Sequence, residues 1–220
     1  RVVLRLGRYQ DVLADAAEVD LLATDPPFSE ETHRGHDAGT RADGGGRRQR
    51  VDKRNGAVYD SGRSRLQALP YKPWTPDDAI EFVDFWAERT RGWMAVITDH
   101  VLYPYFRMRM EQVGRIVFQP IPCIYGYRVR LQGGGPGSSA VWLCVSRPRV
   151  RSFMRRWTSL PGHYIEGQRE RSKLPGAKPR WLMEAIIRDY SAAGELVCDP
   201  CAGWGTTGDA ALVMGRGFLG

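Results

Sequence analysis

A chain of 220 residues, 42% hydrophobic and 26% charged, has the balance of an ordinary globular protein and enough length to bury one substantial core. Its 32 Lys and Arg against 25 Asp and Glu leave a formal charge of +7, which favours a polyanion or an anionic surface as partner. No apolar run approaches the roughly 18 residues of a membrane span and no secretory leader opens the chain, so a soluble, cytoplasmic protein with no membrane partner is expected.

In chain order, Val2 to Leu6 reads as a short strand, Asp11 to Glu18 as a short helix, and Val19 to Thr24 as a buried strand. Regular periodicity then lapses over residues 29–72 while Gly and Arg accumulate; this is expected to be a basic insertion, mobile or ordered by a ligand. A helix is predicted from Pro76, with Thr75 as N-cap and Asp77 and Asp78 at its positive end. Gly92 to His100 reads as a strand, 102–114 as a helix closed by Gly114, 115–128 as a strand interrupted by Pro120 and Pro122, and Ala140 to Ser146 as a strand that could run antiparallel.

Residues 147–177 turn basic and polar again. Trp157 and Tyr164 lie there as candidate stacking groups, with core packing the favoured role for each. A helix over 178–191 starts with Pro179, a short strand covers 195–199, a glycine turn leads into a helix over 209–216, and a last strand begins at Gly217. Alternating strands and helices predict one α/β domain over 1–220 built on a mostly parallel sheet flanked by helices. Opening on Arg1 and stopping on Gly220, the chain is expected to be trimmed at both ends.

Cys123, Cys144, Cys198 and Cys201 sit in or beside apolar runs and read as reduced packing thiols. Cys198 and Cys201 have zinc-like spacing, but no second such pair completes a site, so no metal is expected.

Parallel sheets bind ligands outside the carboxyl ends of their strands. Two such ends stand out, Asp25-Pro26-Pro27-Phe28 and Asp199-Pro200-Cys201-Ala202-Gly203-Trp204-Gly205-Thr206-Thr207. Gly203, Gly205 and Gly208 formally satisfy a dinucleotide fingerprint, and by itself that pattern fits NAD, a flavin or another adenosine cofactor. Trp204 within it would either shield a cofactor or pack beneath it.

Taken together, "TDPPF" and "VCDPCAGWGTT" resemble the site motifs of the amino-group DNA methyltransferases, which act on adenine N6 or cytosine N4. The catalytic motif comes first here and the cofactor motif last, which looks like the circularly permuted order of the beta group. Lys178-Pro179 matches that group's "KP" element. The resemblance implies a Rossmann-like methyltransferase fold and S-adenosyl-L-methionine as cofactor, bound by Lys178, Asp199, Pro200, Cys201, Ala202, Gly203, Gly205, Thr206 and Thr207. It implies double-stranded DNA as partner and leaves a homodimer open. The family's acidic residue for the ribose hydroxyls would fall where this chain stops, at Gly220.

On this resemblance Asp25, Pro26, Pro27 and Phe28 are the catalytic residues, and the chemistry explains their types. An exocyclic amine is a weak nucleophile because its lone pair is delocalised into the ring, so both N–H bonds must be held while the lone pair is aimed at the methyl carbon. The Asp25 carboxylate accepts one hydrogen bond and the Pro26 carbonyl, fixed by the prolines, accepts the other. Phe28 offers a face for a base flipped out of the duplex. Asp rather than Ser at the head of the tetrapeptide favours adenine N6, with cytosine N4 as the alternative.

His33, Arg34, His36, Arg47, Arg48 and Arg50 of the insertion are the candidate DNA contacts; the competing reading is a solvated charged segment. Two other functions compete: an inactive DNA-binding protein on the same scaffold, and an NAD-linked oxidoreductase that rests on the glycines alone.

Overall fold

The computed structural model describes residues 1–33, 71–125, 138–150, 153, 159–167 and 178–220, and the backbone of 49–51 and 58–60. In chain order the elements are β1 (Val2–Val3), α1 (Tyr9–Val12), β2 (Val19–Thr24), β3 (Gln49–Val51), β4 (Val58–Asp60), α2 (Pro76–Ala87), β5 (Thr90–Thr98) and α3 (Tyr103–Gln112). There follow β6 (Ile116–Val117), β7 (Ile121–Ile124), β8 (Ala140–Arg147), β9 (Tyr164–Ile165), α4 (Arg180–Tyr190), β10 (Leu196–Cys198), α5 (Thr206–Val213) and β11 (Gly217–Leu219).

One sheet runs in the order β1-β11-β10-β2-β5-β8-β7-β9, with β6 also on β8. From β1 to β5 every pairing is parallel; β8 is antiparallel to β5 and to β7. This is the Rossmann-like α/β arrangement that the alternation of elements predicts, with β8 in the reversed sense left open for it.

The sheet is covered on both faces, and the period of two along its central strands assigns side chains to them. Leu21 and Ala23 of β2, Trp93, Ala95 and Ile97 of β5, and Leu143 and Val145 of β8 pack with Leu182, Ile186, Ile187 and Tyr190 of α4 and with Ala210 and Ala211 of α5. The alternate residues Leu22, Met94, Val96 and Cys144, joined by Val19 across a register shift in β2, pack on the other face with Phe82, Val83 and Trp86 of α2 and Phe106 and Met110 of α3. Phe82, Trp86 and Phe106 are fully buried, each contributing roughly 1.5–3 kcal/mol of transfer free energy.

α2 begins as its sequence dictates. The Thr75 hydroxyl accepts from the Asp78 backbone N–H while the Asp78 carboxylate accepts from the Thr75 backbone N–H at 2.7 Å, a reciprocal capping box, with Pro76 at the first turn.

Several elements differ from expectation. β1 is only two residues long. The first helix lies at Tyr9–Val12 rather than 11–18, because Tyr9 packs edge-on against Phe82 and Phe85 and Leu13 is drawn into the core. β5 starts at Thr90 and ends before Asp99 and His100. The 115–128 strand is two strands divided around Pro120. β9, parallel to β7, lies in the segment read as polar, and Tyr164 within it is buried and donates to Asp189 at 2.9 Å, the packing role favoured for it. Trp157 lies outside the described residues.

In the insertion, residues 30–33 are helical and β3 and β4 form an antiparallel pair, where the sequence shows no periodicity. Among the described residues no helix is long and apolar enough to cross a membrane, and no cluster of three His, Cys, Asp or Glu is arranged to hold a metal. All four cysteines are free; burial raises the thiol pKa of Cys123 and of Cys144 to about 12.

Candidate active site at two adjacent strand ends

β2 and β10 are neighbours, with Val197 opposite Leu21 and Cys198 opposite Leu22. Because they are parallel, Asp25-Pro26-Pro27-Phe28 and the turn starting at Asp199 leave the sheet side by side at the same edge. The two motifs are thus brought together, though 174 positions of chain separate their aspartates.

Asp199 is buried and organises the glycine turn. Its backbone N–H donates to the Leu219 carbonyl at 2.9 Å, extending the sheet by one residue. Its Oδ1 accepts from the Thr24 hydroxyl at 2.6 Å and the Cys201 backbone N–H at 3.0 Å, and its Oδ2 accepts from the Thr207 hydroxyl at 2.5 Å. Burial raises its pKa to about 6, against the opposing pull of these three hydrogen bonds. So Asp199 is spent on architecture: it ties the strand end, the turn and the first turn of α5 to one carboxylate.

Beyond it, Gly203 (φ 51°) and Gly205 (φ 76°) both adopt left-handed backbone, which disfavours any side chain. A Cβ on Gly205 would meet nothing within 4 Å, so the turn faces open space and its backbone is approachable. Gly208 serves packing: a Cβ there would sit 2.8 Å from the Phe218 ring, so its absence lets α5 lie against β11. α5 starts at Thr206, three residues earlier than the sequence suggests, which puts Thr206 and Thr207 in its first turn. Trp204, between the two left-handed glycines, is 62% exposed. Pro200, Cys201 and Ala202 are half-buried.

At the other strand end Pro26 is buried and Asp25, Pro27 and Phe28 are half-buried, with Phe28 packed on the α4 side of the core. The Phe28 carbonyl accepts from the Trp74 backbone N–H at 3.0 Å, so the chain returning from the insertion forms one wall. Asp25 Oδ2 is 2.7 Å from the Lys178 Nζ, which also lies 4.4 Å from the centroid of the Phe28 ring. Asp25 Oδ1 is shut off from solvent and has no hydrogen-bond partner among the described residues. Burial pushes the Asp25 pKa up, and the Lys178 charge and hydrogen bond oppose that rise. Lys178, read from sequence as a cofactor residue, has its ammonium on the Asp25 side chain and beside the Phe28 ring.

Two residues that the sequence does not single out complete the site. Asp99, just past β5, accepts from the Ser29 backbone N–H at 2.8 Å, the Ser29 hydroxyl at 2.5 Å, the Thr32 hydroxyl at 2.6 Å and the Leu102 backbone N–H at 2.9 Å. It thereby clamps the segment that follows Phe28 to the sheet. Tyr71 feels the Asp25 charge, which adds to burial in raising its phenol pKa, and its ring meets His33 edge-on at 5.5 Å. The acid at the end of "ITDH" is visible in sequence, but nothing local says that its partners lie 70 residues earlier.

His33 is buried beside Tyr71. Arg34, His36, Arg47 and Arg48 lie outside the described residues, and for Arg50 only the backbone, in β3, is described.

Residues 135–220 match the family model for N6/N4-type DNA methylases. The type II methyltransferase M2.DpnII of Streptococcus pneumoniae is 44% identical over 48 residues, which are 22% of this chain and 18% of that protein, so the match spans under a fifth of the curated relative's length. Among solved structures, the M1.HpyAVI–SAM complex superposes with a TM-score of 0.66 at 16% identity, covering 100% of this chain and 92% of that one. The PvuII DNA methyltransferase, cytosine-N4-specific, gives 0.63 at 14% identity over 99% of this chain and 80% of that one. The fold is shared with both.

Proposed function

We propose that this chain, which resembles the amino-group DNA methyltransferases in its fold, its paired motifs and its C-terminal segment, transfers a methyl group from S-adenosyl-L-methionine to an exocyclic amine of a base in double-stranded DNA. The observation that carries this reading is Asp25 Oδ1: a buried carboxylate oxygen without a partner among the described residues, on an acid that shares a lysine contact with the Phe28 ring, at the edge where the glycine turn opens. An N–H of a base amine is the partner such an oxygen needs.

The residues present fit the cofactor. Two left-handed glycines give an open, approachable turn, Asp199 holds that turn rigid, and Thr206 and Thr207 begin the helix after it. When bound, S-adenosyl-L-methionine supplies an electrophilic methyl group. The protein's own part is orientation and charge. Asp25 accepts one amine N–H, the Pro26 carbonyl the other, and the base stacks on Phe28, so the lone pair points one way. Positive charge developing on the nitrogen is stabilised by the ionised Asp25 and its proton then leaves. Reaching an amine inside a duplex requires flipping the base out, at a cost of a few kcal/mol that phosphate contacts from the basic insertion, Arg34, His36, Arg47, Arg48 and Arg50 among them, would offset.

Adenine N6 is the finer reading, because Asp heads the tetrapeptide. Cytosine N4 is the reading that the fold shared with a cytosine-N4 enzyme keeps in play. Incubation with tritiated S-adenosyl-L-methionine and mixed-sequence duplex, followed by digestion to nucleosides, tests both: label is expected in N6-methyladenine, and Asp25→Ala is expected to abolish transfer while retaining the fold. Label in N4-methylcytosine would replace the finer reading, and no transfer to any duplex would favour an inactive DNA-binding protein.

A further inference from the structure

The ammonium of Lys178 touches the same acid and ring that the proposed reaction assigns to the substrate amine and its base. It bonds Asp25 Oδ2 at 2.7 Å and lies 4.4 Å from the centre of the Phe28 ring, so acid and ring, the two groups assigned to the substrate nitrogen and its base, both contact one lysine nitrogen. The side chains of Lys178 and Asp25 are 18% and 20% exposed, so the pair is neither a screened surface bridge nor sealed in the core. Pro179, itself buried, follows Lys178 and leads directly into α4, which anchors the lysine backbone beside the site.

We propose that Lys178 is a positioning residue: a resident cation that holds Asp25 Oδ2, turns the carboxylate so that Oδ1 is left for the substrate amine, and balances the Asp25 charge against the positive charge that arrives with the methyl donor. This rests on the methyltransferase reading above. Oδ1 has no partner among the described residues while Oδ2 is held, so an incoming N–H that opens a path to it satisfies a buried acceptor. The pair is electrically neutral, so a sulfonium brought to its edge meets no net attraction; without the lysine the site carries a net negative charge, and without the aspartate charge a net positive one.

That difference is measurable without turnover. Calorimetric titration of the whole chain with S-adenosylmethionine, a cation at sulfur, and with S-adenosylhomocysteine, its neutral thioether, gives a ratio of dissociation constants. Lys178→Met is expected to shift that ratio towards the sulfonium by on the order of tenfold, the size of effect a unit charge a few ångströms away has in a partly solvated crevice. Asp25→Asn is expected to shift it in the opposite direction, and Lys178→Arg to leave it near the wild-type value. A lysine that only supported the fold would weaken both ligands alike. If the wild type binds both ligands and neither Lys178→Met nor Asp25→Asn moves the ratio, the assignment of Lys178 is wrong and the methyltransferase reading stands. If the wild type binds neither ligand, that reading falls and the assignment falls with it.

Discussion

Thr24 donates its hydroxyl hydrogen to Asp199 at 2.6 Å, joining the last residue of β2 to the first residue beyond β10. The neighbour of the proposed catalytic acid is thereby wired to the residue that shapes the glycine turn. Thr24→Val keeps the shape and removes the hydroxyl. It is expected to cost about 1.5–3 kcal/mol in chemical unfolding, the range for a hydrogen bond to a charged group, and to weaken S-adenosylhomocysteine binding in titration. Unchanged stability and binding would show that the bond is incidental.

Asp199 should impose its own pH dependence. Its pKa is raised to about 6 from an ordinary value of 3.8, so ionising it in the folded protein is unfavourable. The sign follows: the stabilisation is full below the unfolded value and is lost as pH rises through about 6. Asp199→Asn removes that titration, so the difference in urea midpoint between wild type and variant is expected to change between pH 4 and pH 7, in the direction that favours the wild type at the acid end. A pH-independent difference would contradict the assignment.

Asp99 should behave in the opposite way. Burial pushes its pKa up, but hydrogen bonds from Ser29, Thr32 and Leu102 outweigh burial and hold it below the ordinary carboxylate range. Its contribution is present above the unfolded value and lost as pH falls through the folded one. Asp99→Ala leaves several buried donors unpaired and is expected to destabilise by roughly 3 kcal/mol. Because the clamp holds Ser29, next to Phe28, methyl transfer should also fall under conditions where the variant is fully folded; full activity there would confine Asp99 to stability.

Gly92 tests the central pairing. A Cβ at this position would lie 1.9 Å from the Asp20 carbonyl oxygen, a contact with backbone that no side-chain rotation relieves. Gly92→Ala is expected to cost about 3 kcal/mol or more by thermal unfolding, since β2 and β5 must separate to admit it. A variant as stable as the wild type would mean that the two strands are more loosely joined at that end.

Much of this was legible in the sequence where the signal was local. The apolar run 19–24 ends where β2 ends, and Thr75 caps α2 because capping chemistry is complete within four residues. The motif pair correctly foretold two neighbouring strand ends. What sequence did not reveal depends on long-range packing. Tyr9 is helical because of Phe82 and Phe85, Asp99 matters because of Ser29, and Lys178 reaches Asp25 only once α4 has docked. Short strands such as β6 and β9 owe their existence to partner strands rather than to periodicity.

The adjacency of β2 and β10 also bears on how the protein acquires its site. Leu21 meets Val197 and Thr24 meets Asp199 across most of the chain's length, so the entropic penalty of closing that loop falls before any reward from the contact. Refolding should therefore be slow, and a ribosome must have released the chain from Thr24 through the turn at Asp199–Thr207 before the first competent crevice can exist.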